Sequence, residues 1–205
     1  ETIKNNKELY ISLIAFAFTS FAMQIFFPYL IIYIQNFLGF SSYVVLLAIV
    51  LIAASVICVL GGKIIKRGKE VNSSFVCVAV MALGLLMMTY ARSFVFTTIA
   101  GIVMMSGYLL STSLLSALSR GYTPKGNEGG IQGVRMVCQV MLPMVIGPFV
   151  GSIAIKGSNL TYEELGVIKT VPTPLIFTIS SVVALLSIIP LVYLKKLESK
   201  NARIR

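Results

Sequence analysis

The sequence predicts an all-α integral membrane protein with six transmembrane helices. Hydrophobic residues make up 57% of the 205 residues and charged residues only 12%, whereas about 25% of the residues in soluble domains are charged. A transmembrane helix needs about 20 mostly apolar residues, and such runs occur six times along the chain. The runs lack the regular apolar–polar alternation of a membrane β-barrel. This composition excludes a soluble domain, a disordered chain and a barrel.

The apolar runs are separated by short polar stretches and define one bundle over residues 1–205. We predict the spans at residues 9–37, 43–60, 75–90, 94–118, 134–155 and 175–194. The third run is short and must borrow residues from a flank, either Asn72 to Ser74 or Ala91. The first three spans and the last three then have opposite orientations in the membrane. This is the arrangement of two inverted three-helix repeats in secondary transporters.

Polar side chains distinguish the spans from one another. The third span has almost none before Thr89, so we expect it to face lipid on all sides. The first, fourth and fifth spans carry polar residues at helical spacing, which in a membrane indicates a face turned toward protein or water. Hydrogen bonding between helices is the alternative role for such groups. The candidate substrate-binding residues on these faces are Gln24, Tyr29, Tyr33, Tyr108, Thr112 and Gln139.

Small residues in two spans predict places where helix backbones approach closely. Gly147 and Gly151 lie four residues apart in the fifth span, and Gly107 and Ser111 have the same spacing in the fourth. Such pairs let neighbouring helices come together. Pro148 removes a backbone hydrogen bond from the fifth helix, so this helix is predicted to bend.

The basic residues predict the orientation of the bundle. Fourteen of the 17 Lys and Arg residues fall on one side, which carries both termini and the second and fourth loops, and three fall on the other. The positive-inside rule assigns the fourteen to the cytoplasm. We therefore expect an integral plasma membrane protein, with a bacterial inner membrane favoured. The net charge of +10 is explained by topology and gives no support to nucleic-acid binding.

Catalytic and metal-binding groups are scarce. Histidine is absent, and the three cysteines stand in apolar surroundings without the spacing of a disulfide framework or a metal site. We expect no enzymatic activity, no metal and no cofactor. No charged residue lies deep in a span, so the chain offers no obvious carrier for a coupling ion. Near the predicted cytoplasmic mouth, Glu128 and Arg135 form either a gate salt bridge or a pair that anchors the loop.

The loop after the second span carries a family resemblance. It reads Gly61-Gly62-Lys63-Ile64-Ile65-Lys66-Arg67-Gly68-Lys69. This resembles the short basic loop of the major facilitator superfamily, Gly-x-x-x-Asp-Arg-x-Gly-Arg, which joins the second and third helices of each six-helix half. The match gives the glycine and basic positions of the motif to Gly61, Lys66, Gly68 and Lys69. Ile65 stands where the family often has aspartate, so an aspartate-based latch is not expected.

Two further segments resemble members of this superfamily. Residues 28–41 are similar to the seventh helix of a twelve-helix transporter. Residues 120–148 resemble the tenth-to-eleventh loop and the eleventh helix of members near the glycoside-pentoside-hexuronide cation symporters. The resemblance implies the C-terminal six-helix half of a transporter, whose partner is an N-terminal six-helix half in the same or another chain.

The function implied by the resemblance is secondary active transport of a small solute by alternating access. The amides and phenols of the candidate residues suit an uncharged, hydroxyl-rich solute such as a sugar, because each solute hydroxyl both donates and accepts a hydrogen bond. Two alternatives remain. One is export of a drug or other lipophilic compound by the same fold, and the other is a non-transporting membrane receptor or assembly subunit.

Overall fold

The structure is a computed structural model that describes residues 6–65, 68–124, 126–156, 160–164 and 166–204. Within these ranges six helices are long and apolar enough to cross a membrane: α1 (Lys7–Phe37), α2 (Tyr43–Ile64), α3 (Glu70–Tyr90), α4 (Phe94–Gly121), α5 (Glu128–Ile155) and α6 (Leu175–Lys200). The predicted class, an all-α membrane protein of six helices, is confirmed. Several helices run past the predicted spans, because polar residues continue the helical backbone beyond the apolar run. In particular, α3 takes its extra residues from the side of Asn72 to Ser74.

Capping residues and a glycine turn mark the ends of the helices. The Asn6 side chain accepts a hydrogen bond from the Leu9 backbone N–H at 3.2 Å, and the Ser93 hydroxyl accepts one from the Phe96 N–H at 3.3 Å. These contacts satisfy donors that the first turns of α1 and α4 would otherwise leave unpaired. Gly39, with φ of +72°, follows α1, where a side chain would strain the backbone.

The helices differ in the regularity of their backbones. Both α3 and α4 are uninterrupted α-helices. In contrast, α1 contains a 3₁₀ turn at Phe27–Tyr29, which includes Pro28, and a π-helical turn at Tyr33–Phe37. A second π-helical turn, Val137–Met141, divides α5. Pro148 lies inside the α-helical segment Leu142–Ile155, so the bend predicted from this proline stays a prediction.

The core of the bundle forms around α1. In the most apolar stretch of α1, 67% of the residues are buried, whereas only 17% are buried in the corresponding stretch of α2 and 22% in that of α5. Helix α1 packs against α4, α5 and α6, whereas α2 packs mainly against α4. As a result, α2 and α5 expose most of their apolar surface.

The third helix is packed more tightly than the sequence led us to expect. Half of the residues in the apolar stretch of α3 are buried, against α4 and α6. Its expected position in lipid on all sides is therefore wrong. An apolar side chain packs on a neighbouring helix as readily as on lipid tails, so the lack of polar groups does not identify a lipid-facing helix.

A β-hairpin replaces part of the long loop between α5 and α6. Its strands are β1 (Thr161–Glu164) and β2 (Val167–Thr170), paired antiparallel with Thr161 opposite Thr170. Gly166 has φ of +78° at the turn, which a glycine adopts at low cost. The sequence analysis did not predict these strands.

Both ends of the described chain meet at one end of the bundle. The Asn6 side chain donates to the Tyr122 carbonyl at 2.7 Å, and the Tyr122 hydroxyl donates to the Glu198 carboxylate. These bonds join the start of α1, the end of α4 and the last turns of α6. We call the end of the bundle at Asn6, Tyr122 and Glu198 the basic end, because most of the Lys and Arg residues belong to this side. The opposite end, which carries the β-hairpin, is the hairpin end.

Candidate functional site

The glycines of α5 bring this helix directly against α1. A Cβ atom added to Gly147 would lie within 3.0 Å of the Gln24 backbone and Cβ, and one added to Gly151 would meet the Ile25 carbonyl and the Tyr29 ring. The close approach predicted from these glycines is thus present. The Tyr29 hydroxyl crosses the same contact and donates to the Pro148 carbonyl at 2.8 Å. Tyr29 therefore joins the two helices in this conformation.

Two glutamines of the predicted site lie along this α1–α5 contact. Gln24 packs beside Gly147, and Gln139 lies in the π-helical turn of α5, which also touches α1. Both side chains are half-buried. In the part of the chain that the structure describes, neither amide forms a hydrogen bond. A π-helical turn inside an α-helix is frequent at functional sites, because it redirects side chains and frees backbone groups.

On the α4 side, Tyr108 is the candidate residue that faces α1. Its side chain lies beside Ser20. Ser20 is only 1% exposed, and its hydroxyl, although next to the Tyr108 phenol, has no hydrogen bond of standard geometry among the described residues. A buried hydroxyl without a partner costs free energy. Gln24 is one turn of α1 away from Ser20, so these groups form a polar patch near the middle of the bundle.

Most hydroxyls of α4 are satisfied within their own helix. Thr112 donates to the Tyr108 carbonyl at 2.9 Å, Ser111 to the same carbonyl at 2.9 Å, and Ser106 to the Val103 carbonyl at 3.0 Å. Among the described residues, these three hydroxyls have no hydrogen bond to another helix. Thr112 therefore has a local partner, although its half-buried position is near Tyr108.

Tyr33 lies in a different environment from the other candidates. It is fully buried and stacks on Phe37 with ring centroids 5.0 Å apart, while Phe177 of α6 meets it edge-on at 4.9 Å. The Arg92 guanidinium lies over the Phe37 ring at 5.1 Å. These contacts form an aromatic cluster between α1 and α6, separate from the α1–α5 contact.

The described part of the basic loop contains a glycine in the left-handed conformation. Gly68 has φ of +84°, and its N–H donates to a Glu70 carboxylate oxygen at 2.7 Å. Gly61, at the end of α2, packs on the Leu110 side chain of α4, where an added Cβ would lie 3.1 Å from two of its atoms. Lys69 is exposed just before α3. Lys66 lies outside the described residues.

The predicted pair of Glu128 and Arg135 shares a cavity at the basic end without forming an ion pair. The cavity has a volume of about 480 Å³. Arg135 donates to the Ser116 hydroxyl of α4 at 3.1 Å. Arg135 thus anchors α5 to α4 through a serine, and Glu128 remains at the cavity wall. The lining residues are Ser119, Arg120, Thr123, Glu128, Gly129, Ile131, Gln132 and Arg135.

A second cavity lies nearer the hairpin end and is almost entirely apolar. It has a volume of about 170 Å³ and lies between α1, α2, α3 and α4. Leu30, Leu46 and Met104 are among its lining residues, and Thr97 is the polar side chain in its wall. The sequence analysis did not predict this cavity, since aliphatic side chains in a membrane protein carry no signal for one.

Comparison with known proteins gives one family match. The sequence model of the Major Facilitator Superfamily matches residues 1–148, which is the greater part of the chain. The match includes the basic loop and the helices that carry all six candidate substrate-binding residues. No curated protein matches the chain.

Proposed function

Because the chain belongs to the major facilitator superfamily, we propose that this membrane transporter moves a small, uncharged polar solute by alternating access. A sugar-like compound is the favoured solute class. The proposal rests chiefly on one observation: the half-buried amides of Gln24 and Gln139 have no hydrogen-bond partner in the described structure, although they lie on two helices in contact.

Unpaired amides inside a bundle suit a hydroxyl-rich solute. A glutamine side chain offers two N–H donors and a carbonyl acceptor, and a solute hydroxyl both donates and accepts. Tyr108 and the Ser20 hydroxyl add two groups of the same type from α4 and α1. A charged solute would need a compensating charge at this depth, and the described mid-helix patch contains none. We therefore assign the solute contact to Gln24, Tyr108 and Gln139.

Among the other three candidates, Tyr29 and Thr112 have hydrogen-bond partners in this conformation, whereas the buried Tyr33 hydroxyl has no hydrogen bond of standard geometry among the described residues. All three take supporting roles in the proposal. Tyr29 joins α1 to α5, Thr112 is bonded within α4, and Tyr33 is enclosed by aromatic rings. Tyr29 becomes available to solute only if α1 and α5 separate. Its bond to Pro148 is then one of the contacts that alternate between the two access states.

Alternating access proceeds largely by rocking of helical bundles, and bending of individual helices can accompany it. Regular backbone hydrogen bonding is interrupted at the π-helical turns of α1 and α5 and at the two prolines of α5. Helices bend more easily at such positions. Gln139 lies within the π-helical turn of α5, and Gln24 precedes the irregular segments of α1. Bending there would open or close the polar patch toward one side of the membrane.

We further propose that the chain acts as the C-terminal six-helix half, near the glycoside-pentoside-hexuronide branch, beside an N-terminal half. The exposed apolar faces of α2 and α5 support this, since they suit contact with lipid or with a second bundle. The basic end, with most of the Lys and Arg residues, is taken as cytoplasmic in a plasma membrane.

Export of a lipophilic compound is the second candidate function. The apolar cavity near the hairpin end favours it, because its wall offers aliphatic contact with one polar side chain, Thr97. The volume of about 170 Å³ is smaller than that of typical ligand pockets, about 300–1,000 Å³. The polar patch therefore remains the favoured site.

Uptake by the full-length protein in proteoliposomes tests the proposal. A panel of labelled neutral sugars is compared with a lipophilic cation. We expect saturable sugar uptake, with KM raised about tenfold or more by Gln24→Ala and by Gln139→Ala, because each loses hydrogen bonds to the solute. Gln35→Ala is the matched control, as Gln35 is an exposed glutamine of the same α1 helix. Unchanged KM in both site variants, or transport of the lipophilic cation alone, would contradict the proposal.

A further inference from the structure

The cavity at the basic end brings two arginines together on one neutral group. The Ser116 hydroxyl accepts from Arg135 at 3.1 Å and from Arg120 at 3.3 Å, and Arg120 also donates to the Ser116 carbonyl at 3.2 Å. We propose that this cavity binds an oxyanion, a phosphate or a carboxylate, between Arg120 and Arg135.

The arginines have unused hydrogen-bonding capacity. A guanidinium carries five N–H donors in a planar fork, and the bonds to Ser116 use few of them. The Nε atom of Arg135 is buried and has no partner in the described structure. A buried donor without an acceptor is costly. An oxyanion in the cavity would accept from N–H groups of Arg120 and Arg135, and a turn of the Arg135 side chain toward it would give this Nε atom an acceptor as well. Guanidinium groups bind phosphate and carboxylate strongly through such bonds.

The charge in the cavity also favours an anion. Two guanidinium groups line it, and Glu128 is the single carboxylate among its lining residues. Glu128 forms an ion pair with neither arginine, and two guanidinium groups against one carboxylate leave the lining with a net charge of +1. The first turn of α5, at Glu128 and Gly129, adds the partial positive charge of a helix N-terminus.

The volume and position suit a headgroup-sized ligand. About 480 Å³ accommodates a phosphate with its first shell of water or a substituent. Ser116 lies in the last turns of α4, and Arg135 in the first turns of α5, so the cavity is at the boundary of the apolar spans. A lipid phosphate could enter from the bilayer and a soluble phosphate from the aqueous side. Both have the same recognising chemistry.

Binding to the purified full-length protein tests the site in two arms. In neutral detergent, inorganic phosphate is titrated against a chloride reference of equal ionic strength. In nanodiscs of phosphatidylcholine with and without phosphatidylglycerol, the anionic lipid retained by the protein is counted by native mass spectrometry. Arg135→Gln and Arg120→Gln are the test variants. The control is Lys63→Gln, which removes an exposed cation of α2 outside the cavity.

We expect binding in at least one arm, weakened about tenfold or more by each arginine variant and unchanged by Lys63→Gln. Binding of inorganic phosphate identifies a soluble oxyanion, and retention of phosphatidylglycerol alone identifies a lipid headgroup. Arg120 is exposed, so Arg120→Gln keeps the test decisive if Arg135→Gln does not fold. The absence of binding in both arms, or equal weakening by Lys63→Gln, overturns the proposal. Neither result depends on solute transport.

Discussion

Two helix contacts, α3–α4 and α1–α5, are both made possible by glycines, but they join helices of different regularity. In both, a pair of glycines removes side chains that would block the approach of two helices. Gly84 and Gly107 lie within 3.0 Å of opposing backbone atoms at their missing Cβ positions, as do Gly147 and Gly151. Yet α3 and α4 are regular, whereas α1 and α5 contain π-helical turns and prolines.

The difference separates a fixed contact from a deformable one. In the α3–α4 contact, each missing Cβ faces the backbone of a straight helix: Gly84 faces Met104, and Gly107 faces Met81. In the α1–α5 contact, Gly147 and Gly151 also face backbone, that of Gln24 and Ile25, but they do so beside points where the helices depart from α-helical geometry. We therefore expect the first contact to control stability and the second to control transport.

The largest effect is expected at the α3–α4 contact. Gly107→Ala places a methyl group against the Met81 backbone, which cannot rotate away, and should lower stability by about 3 kcal/mol. Gly62→Ala is the matched control, since this glycine of α2 has open space at its Cβ position and alanine favours a helix by up to about 1 kcal/mol. Unfolding in detergent is the measurement. Equal stability of Gly107→Ala and the wild type would show that α3 and α4 can also adjust to accommodate the added methyl group.

The second effect concerns the α1–α5 contact. Gly151→Ala meets the Ile25 carbonyl and the Tyr29 ring. Because α1 departs from α-helical geometry directly after Ile25 and Phe26, we expect its backbone to adjust there, with a smaller loss of stability, about 1–2 kcal/mol, together with at least a tenfold loss of transport rate. Gly133→Ala, in the first segment of the same helix, has no atom within 4 Å and is the control. A loss of stability as large as that of Gly107→Ala, with the transport rate of the remaining folded protein unchanged, would remove the distinction between the two contacts.

A third prediction concerns Tyr122, which links α1, α4 and α6 at the basic end. Burial raises the pKa of the Tyr122 phenol well above its ordinary value, with further contributions from the hydrogen bond to Glu198 and from the charges of Glu198, Glu8 and Glu70. The folded protein therefore favours the neutral phenol. Its contribution to stability is complete below about pH 10 and falls as the pH rises further, because the unfolded chain ionises first.

Tyr122→Phe tests this linkage. We expect a loss of about 1.5 kcal/mol at neutral pH from the missing bond to a carboxylate and a shallower decline of stability above pH 10. Tyr10→Phe, at an exposed tyrosine of α1, is the comparison. A decline above pH 10 as steep in Tyr122→Phe as in the wild type would show that other groups control it.

The sequence predicted one of these contacts better than the other. Gly147 and Gly151 stand four apart, which is a recognisable pattern, and the structure uses them. Gly84 is a single glycine in a span without polar groups, so its role was missed. Composition does not tell whether an apolar helix faces lipid or another helix; a small residue inside such a helix is the available signal.

The candidate site was predicted in part for a related reason. Helical spacing places residues on one side of a helix, but it does not say which neighbour that side meets. Gln24 and Gln139 remain unpaired along the α1–α5 contact, whereas Tyr33 faces Phe177 of α6. The convergence of Arg120 and Arg135 depends on the path of the α4–α5 loop, and the π-helical turns follow from tertiary packing. Neither has a sequence pattern.

The smallest effect is expected from Tyr29→Phe, and it tests the deformable contact most directly. The variant keeps the ring against Gly151 and removes only the 2.8 Å bond to the Pro148 carbonyl, so stability should fall by about 1 kcal/mol. If this bond breaks during each transport cycle, its loss changes the transport rate while KM stays the same, because the solute is held by other groups. Tyr90→Phe, at an exposed tyrosine of α3, should change neither. A raised KM in Tyr29→Phe would instead mean that Tyr29 contacts the solute, and that α1 and α5 already separate when it binds.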